Sequence, residues 1–244
     1  MSLGQEFLDA FSFIGRNGQI PVGPPLPTLV HLTLKTLEVA GIGIGIALLI
    51  GLPIGIGLGH LHRGSFLAIN VGNVWRSLPS LAVLAIGVAF LGIGLANVEL
   101  ALIVLAVPPI ITNAYVAIDT IEPDIVDAAR GMGLTEWQIL RDVEVPLGTA
   151  LIFAGIRTAA LFVVSTTTIA SLTGFSGSLG DIINNETSYH LSGVLGAAIC
   201  IAALALVEEF ALAALQRALT PRGLKTVADD SAAIALVPLV QEVS

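Results

Sequence analysis

Long apolar runs without Asp, Glu, Lys or Arg alternate with short polar breaks along this chain. Such runs cover residues 39–59, 77–98, 100–118, 158–180 and 191–207, the last resuming at 210–216 after Glu208 and Glu209. A helix needs about 20 mostly apolar residues to cross the hydrocarbon core of a bilayer. The pattern therefore predicts five spans, over approximately 31–59, 70–95, 98–118, 147–173 and 191–217. They are expected to be helices, because backbone groups in lipid must be satisfied within the segment and no β-barrel alternation is visible. The expected fold class is an all-α integral membrane protein. Gly41/Gly45 and Gly51/Gly55/Gly59 recur at a spacing of four in the first span. Small residues at that spacing form a ridge that a second helix can approach closely. Pro53, Pro79, Pro108 and Pro109 are expected to interrupt or kink their helices, since each lacks a backbone donor.

Composition agrees with this reading. Of 244 residues, 55% are hydrophobic and 11% charged, against about 25% charged in soluble domains. Mean hydropathy is +0.93. The net charge of −8 leaves no basic footprint for nucleic acid. Cys200 is the single cysteine, which excludes an intrachain disulfide or a cysteine-rich metal site. His31, His60, His62 and His190 form no His-Glu-x-x-His pattern, so neither a catalytic nor a metal site is expected. No cleavable signal is read in residues 1–27, where Leu8, Phe11, Phe13 and Ile14 suggest a short interfacial segment. The expected organisation is this segment, a transmembrane domain over 28–220 and a cytoplasmic tail over 221–244.

Cations set the topology. An N-terminus outside and a C-terminus inside place Arg63, Arg76, Arg130, Arg141, Arg217, Arg222 and Lys225 in the cytoplasm. Arg16 and Lys35 fall on the outer side. Arg157 falls within a span, where an ion pair with Asp119, Glu208 or Glu209 is expected. His60 and His62 are expected at the inner interface beside Arg63.

One polar block, residues 119–146, separates the third and fourth spans. Pro123 suits a first helical turn, where its missing N–H is harmless, and Asp124 and Asp127 favour the positive end of that helix. Gly131 and Gly133 can end it in a left-handed conformation. Thr135 through Gln138 matches a capping box, so a second short helix is expected over about 135–142, with Pro146 marking entry to the next span. A short capped helix outside the membrane is a rigid knob that can transmit force.

The order Asp127-Ala128-Ala129, Gly133 four residues on, then Val143-Glu144-Val145-Pro146, resembles the "E-A-A" loop of bacterial ABC importer permeases. Asp127 stands for the usual Glu, and Val143 and Val145 for Ile and Leu. The stretch 127–135, Ser77-Leu78-Pro79-Ser80-Leu81-Ala82, Arg157-Thr158-Ala159 and Gly177-Ser178-Leu179-Gly180-Asp181-Ile182-Ile183 resemble osmoprotectant permeases. The substrates of those permeases are glycine betaine, carnitine, choline and proline betaine. Together these motifs cover roughly residues 30–220. The resemblance implies the five-helix core of type I importers in a bacterial plasma membrane. It also implies a second permease subunit, a pair of ATPase subunits that use ATP and Mg, and an extracellular substrate-binding protein. It gives the coupling surface as Asp127, Ala128, Ala129, Arg130, Gly133, Thr135, Trp137, Gln138 and Pro146.

No phosphate-cradling Gly-Lys-Ser/Thr loop is present, so the chain is not expected to be an enzyme or to bind a cofactor. Asn113, Ser165, Thr166, Thr167 and Ser171 are candidates for a polar path through the membrane. Thr168 and Thr173 extend the same hydroxyl-rich stretch. The alternative role for these hydroxyls is bonding back to their own helix. With few aromatic residues to cage a quaternary ammonium group, selectivity is expected mainly in the separate binding protein. A permease of the same fold for methionine or taurine is the alternative. An ATP-independent carrier leaves the polar block unexplained.

Overall fold

The computed structural model describes residues 3–19, 28–66, 70, 72, 75 and 77–220. Its elements, in order, are α1 (Leu3–Gly15), α2 (Leu29–His60), α3 (Ser80–Leu91), α4 (Leu95–Asp119), α5 (Pro123–Gly131) and α6 (Glu136–Ile139). A π turn (Leu140–Glu144), α7 (Val145–Ile169), a 3₁₀ turn (Ala170–Thr173), α8 (Gly180–Asn184) and α9 (Glu186–Leu219) follow. Among the described residues four segments are long and apolar enough to cross a membrane: α2, α4, the run Glu136–Thr173 and α9. The span expected over 70–95 is represented among the described residues by the shorter α3. The C-terminal segment, with Arg222 and Lys225, and Arg76 lie outside the described residues.

The bundle is built around α4, which lies between α2 and α7. A ridge of small residues on α2, Gly43, Ala47, Gly51, Gly55 and Gly59, is buried. Built onto Gly51, a β-carbon comes within 2.8 Å of Ile110; on Gly55 it comes within 2.7 Å of Ala114 Cβ and of the Ile111 carbonyl. On Gly59 it lies 2.8 Å from Ile118. Across α4, Gly155 of α7 faces Asn113 and the Pro109 carbonyl, and Gly148 faces Ala117. Lipid offers no hydrophobic drive for helices to associate, so close backbone approach must supply the attraction.

The spacing of four was expected here, but the phase of its first part is corrected. Gly41 and Gly45 meet nothing within 4 Å. They lie two residues out of step with Gly43 and Ala47, which is about 200° around a helix of 3.6 residues per turn. The prolines divide: Pro79 interrupts its segment as expected, whereas the helix is continuous through the other three. Pro53 lies inside continuous α2 and Pro108-Pro109 inside continuous α4, while Pro79 is the N-cap of α3. Neighbouring helices hold such a segment together despite its missing donors.

The remaining elements close one end. Phe13 of α1 stacks edge-on against Tyr189 of α9, with ring centroids 6.1 Å apart. The Leu179 amide donates to Thr36 Oγ1 at 3.0 Å, tying the segment before α8 to α2. Outward faces are apolar: Leu34, Leu49 and Ile50 on α2, and Leu206, Val207, Phe210 and Leu219 on α9, are exposed. Such surface suits lipid or another helix, not water. Gly55→Ala should lower stability by about 1–3 kcal/mol through overpacking, measured as the unfolding midpoint in detergent. Gly57→Ala, whose new methyl meets nothing within 4 Å, should leave the midpoint unchanged or raised.

Candidate coupling surface

Residues 119–146 fold as two capped helices joined by a tight turn. Pro123 occupies the first turn of α5, with Asp124 beside it. At the far end the Gly133 amide donates to Arg130 O at 3.0 Å, and the Leu134 amide to Ala129 O at 3.3 Å. With Gly133 at φ +88°, this is a Schellman motif, which needs a left-handed residue just beyond the helix. Gly131 remains the last residue of α5, so of the two glycines expected to end the helix only Gly133 supplies the left-handed position.

The expected capping box is present. The Gln138 amide donates to Thr135 Oγ1 at 3.4 Å, and the Thr135 amide donates to Gln138 Oε1 at 2.8 Å. Arg130 joins the two helices. Its Nε lies 3.0 Å from Glu136 Oε1, its Nη2 lies 3.3 Å from Glu136 Oε2, and its Nη1 lies 2.9 Å from Asp127 Oδ1. The hydrogen bond to Glu136 is the main reason the guanidinium pKa is raised.

The turn that follows departs from expectation. Instead of ending near 142, α6 passes through the π turn directly into α7. Pro146 sits in the first turn of α7, so the loop and the fourth span are one continuous rod. π turns are uncommon and frequently mark functional positions. Here Glu144 is buried, with 2% of its surface exposed, and its Oε2 lies 2.7 Å from His60 Nδ1 at the end of α2. His60 Nε2 lies 3.7 Å from Glu136 Oε2. His62 Nδ1 lies 2.9 Å from Asp119 Oδ1. Sequence reasoning missed the pairing of His60 with Glu144. The two are far apart in the chain, and no local spacing links them.

Ala129 and Ile139 are buried and seat the knob on the bundle. Asp127, Ala128, Thr135, Trp137 and Gln138 face outward. Met132 and Trp137 are 74% and 69% exposed, and Ile125 of α5 is exposed as well, which leaves large apolar side chains on a largely polar surface. An apolar cleft of about 480 Å³ opens between α2 and the rod, lined by Leu52, Pro53, Ile56, Trp137, Leu140 and Val145 among others.

The candidate path residues are dispersed. Ser165 is exposed, whereas Thr166 and Thr167 are buried. Thr167 Oγ1 donates to Val163 O at 2.8 Å and Ser171 Oγ to Thr168 O at 2.9 Å. Thr168 and Thr173 likewise bond back to Val164 O and Ala170 O. Asn184 of α8 donates to Ser171. Asn113 Nδ2 donates to Pro109 O at 2.8 Å where α4 meets Gly155. Arg157 pairs with Glu209, Nη1 to Oε1 at 3.2 Å, and also donates to Gln216. Among the three expected partners Glu209 is the one in contact, while Asp119 is held by His62.

The family described as "Binding-protein-dependent transport system inner membrane component" matches residues 47–222. The chain is 40% identical over 158 residues to the carnitine transport permease protein OpuCB of Listeria monocytogenes, covering 64% of this chain and 72% of that protein. It is 34% identical over 166 residues to the glycine betaine/carnitine/choline transport system permease protein OpuCB of Bacillus subtilis, covering 68% and 76%. With the osmoprotectant import permease protein OsmW of Salmonella typhimurium it shares 32% identity over 154 residues, covering 61% and 72%. In three dimensions it resembles an inward-facing form of the MetNI methionine ABC transporter, with a TM-score of 0.66 and 24% identity over 79% of this chain and 96% of that one. That likeness speaks for the fold alone. Several apolar helices and a matched region spanning most of the chain together establish that this multi-pass membrane protein belongs to the family of binding-protein-dependent transport system inner membrane components.

Proposed function

We propose that this chain is the transmembrane permease subunit of an ABC importer for osmoprotectants: glycine betaine, carnitine, choline or proline betaine. The observation that carries the solute assignment is the set of relatives at 32–40% identity named for carnitine, glycine betaine, choline or osmoprotectant transport. The coupling assignment is carried by the capped loop with its exposed Met132 and Trp137. Exposed apolar anchors on a rigid frame are what a protein partner binds.

In this reading Asp127, Ala128, Ala129, Arg130, Gly133, Thr135, Trp137, Gln138 and Pro146 form or support the docking surface for one subunit of an ATPase pair. The ATPase uses ATP and Mg; this chain supplies no catalytic group. An extracellular binding protein delivers solute, and a second permease subunit completes the gate. The N-terminus is outside and the C-terminus in the cytoplasm, which puts Arg63, Arg130, Arg141 and Arg217 on the cytoplasmic side. Ser165 offers its hydroxyl to the path from the exposed face of α7. Asn113, Thr166, Thr167 and Ser171 are the further candidates for that path within the bundle. Closure of the ATPase pushes the knob, and the unbroken rod carries that push into α7.

The solute assignment is tested by uptake of labelled glycine betaine at high osmolarity in cells relying on this permease, its ATPase and its binding protein. Choline, carnitine, proline and methionine serve as competitors. ATP-dependent betaine uptake, suppressed by carnitine or choline, is expected. ATP-dependent uptake of methionine without betaine uptake overturns the solute class.

Gly133→Val tests the coupling surface. Its new β-carbon meets nothing within 4 Å, but the left-handed backbone costs a non-glycine residue about 1–2 kcal/mol. Membrane insertion should persist while ATPase association weakens roughly tenfold, the equivalent of about 1.4 kcal/mol. Thr135→Ala removes one cap, worth about 1 kcal/mol, and should weaken association less. Both effects are read by co-purification of the ATPase over a range of its concentration.

A further inference from the structure

The rod passes force to α7 through its own backbone, but α2 has no such connection to it. A cleft separates Leu52 to Gly57 of α2 from Trp137 and Leu140, while farther along the rod Leu48, Leu52 and Ile56 pack around Ile152, Phe153 and Ile156 of α7. At the loop end the contact that crosses is polar. His60, in the last turn of α2, has Nδ1 2.7 Å from Glu144 Oε2 in the π turn and Nε2 3.7 Å from Glu136 Oε2 on α6. Glu136 is itself gripped by Arg130 of α5. The π turn places Glu144 where its carboxylate is 3% exposed and directed at the His60 ring, itself 17% exposed. A buried carboxylate must be paired, and removing its partner leaves an uncompensated group. Its neighbour in the chain, Gly59, packs directly on Ile118 and Tyr115 of α4. His60 thus stands where the loop, the first long helix and the central helix meet.

We propose that His60 is a positioning residue for energy coupling: held between Glu144 and Glu136, it makes α2 and α4 move with the loop when the ATPase closes. This role rests on the loop being the ATPase docking surface. It touches neither solute nor nucleotide and acts through Glu144.

The test uses the complete transporter with its ATPase and binding protein, reconstituted in proteoliposomes, and reads betaine taken up per ATP hydrolysed. His60→Ala, His60→Gln, Glu144→Gln and the double variant His60→Ala/Glu144→Gln are compared. The ratio should fall about tenfold in His60→Ala, within the roughly 5–150-fold range of coupling between sites. The double variant should be no worse than the single ones, because both remove the same link. His60→Gln, which keeps one donor toward Glu144, should recover part of the loss. An unchanged ratio in His60→Ala overturns the proposal. So does loss of assembled transporter in every variant with a normal ratio in what remains, since the pair then serves folding alone.

A photoreactive label on Ala128→Cys, in a Cys200→Ser background, separates this from failure of the docking assignment. No labelling of the ATPase removes the docking surface and with it the proposal. Labelling together with an unchanged ratio in His60→Ala removes the proposal alone.

Discussion

Close backbone contact on both sides of α4 is the constraint on which the rest of this structure depends. In lipid, burying apolar side chains between helices gains little over leaving them among acyl chains. Small residues instead let backbones approach until many weak dispersion contacts add up. Gly51, Gly55 and Gly59 on one side and Gly148 and Gly155 on the other leave room for Ile110, Ala114, Ile118, Asn113 and Ala117. The same closeness brings the C-terminal ends of α2 and α4 beside the π turn, where His60 reaches Glu144 and His62 reaches Asp119. The polar contacts at that end therefore depend on the glycine contacts beneath them.

The loop over 119–146 is held by the opposite means. Its helices are too short to hold themselves together, and local devices fix them instead: a first-turn proline, a Schellman turn at Gly133, a capping box at Thr135 and a bidentate Arg130–Glu136 contact. In the proposed coupling role, rigidity at this point lets a surface motion become a motion of α7, because no flexible joint intervenes between Gln138 and Ile169. The Arg157–Glu209 pair further along the rod links α7 to α9.

Local and periodic features were legible in the sequence. The charge-free runs located the long helices, and the start of α5 and the cap of α6 followed from Pro123 and from Thr135 with Gln138. Features that depend on rotation or on contacts across the chain were not. Gly41/Gly45 looked equivalent to Gly51/Gly55 because spacing alone does not set which face of a helix is covered. The π turn has no composition of its own: Leu140 through Glu144 reads as ordinary helix, and the added residue shows only in the hydrogen bonds. Glu144, read as one member of a motif ending at Pro146, gave no sign that it would be buried against His60. The run of hydroxyls was legible too, but not their partners: Thr167, Thr168 and Ser171 bond back to their own segment.

Hydrogen–deuterium exchange, comparing this permease alone with the same protein assembled with its ATPase, tests most directly that force enters through the loop. Backbone amides across 123–139 should become protected on assembly, while amides at the α1–α9 end should not change. Unchanged exchange over 123–139, with protection elsewhere on the chain, would contradict the account.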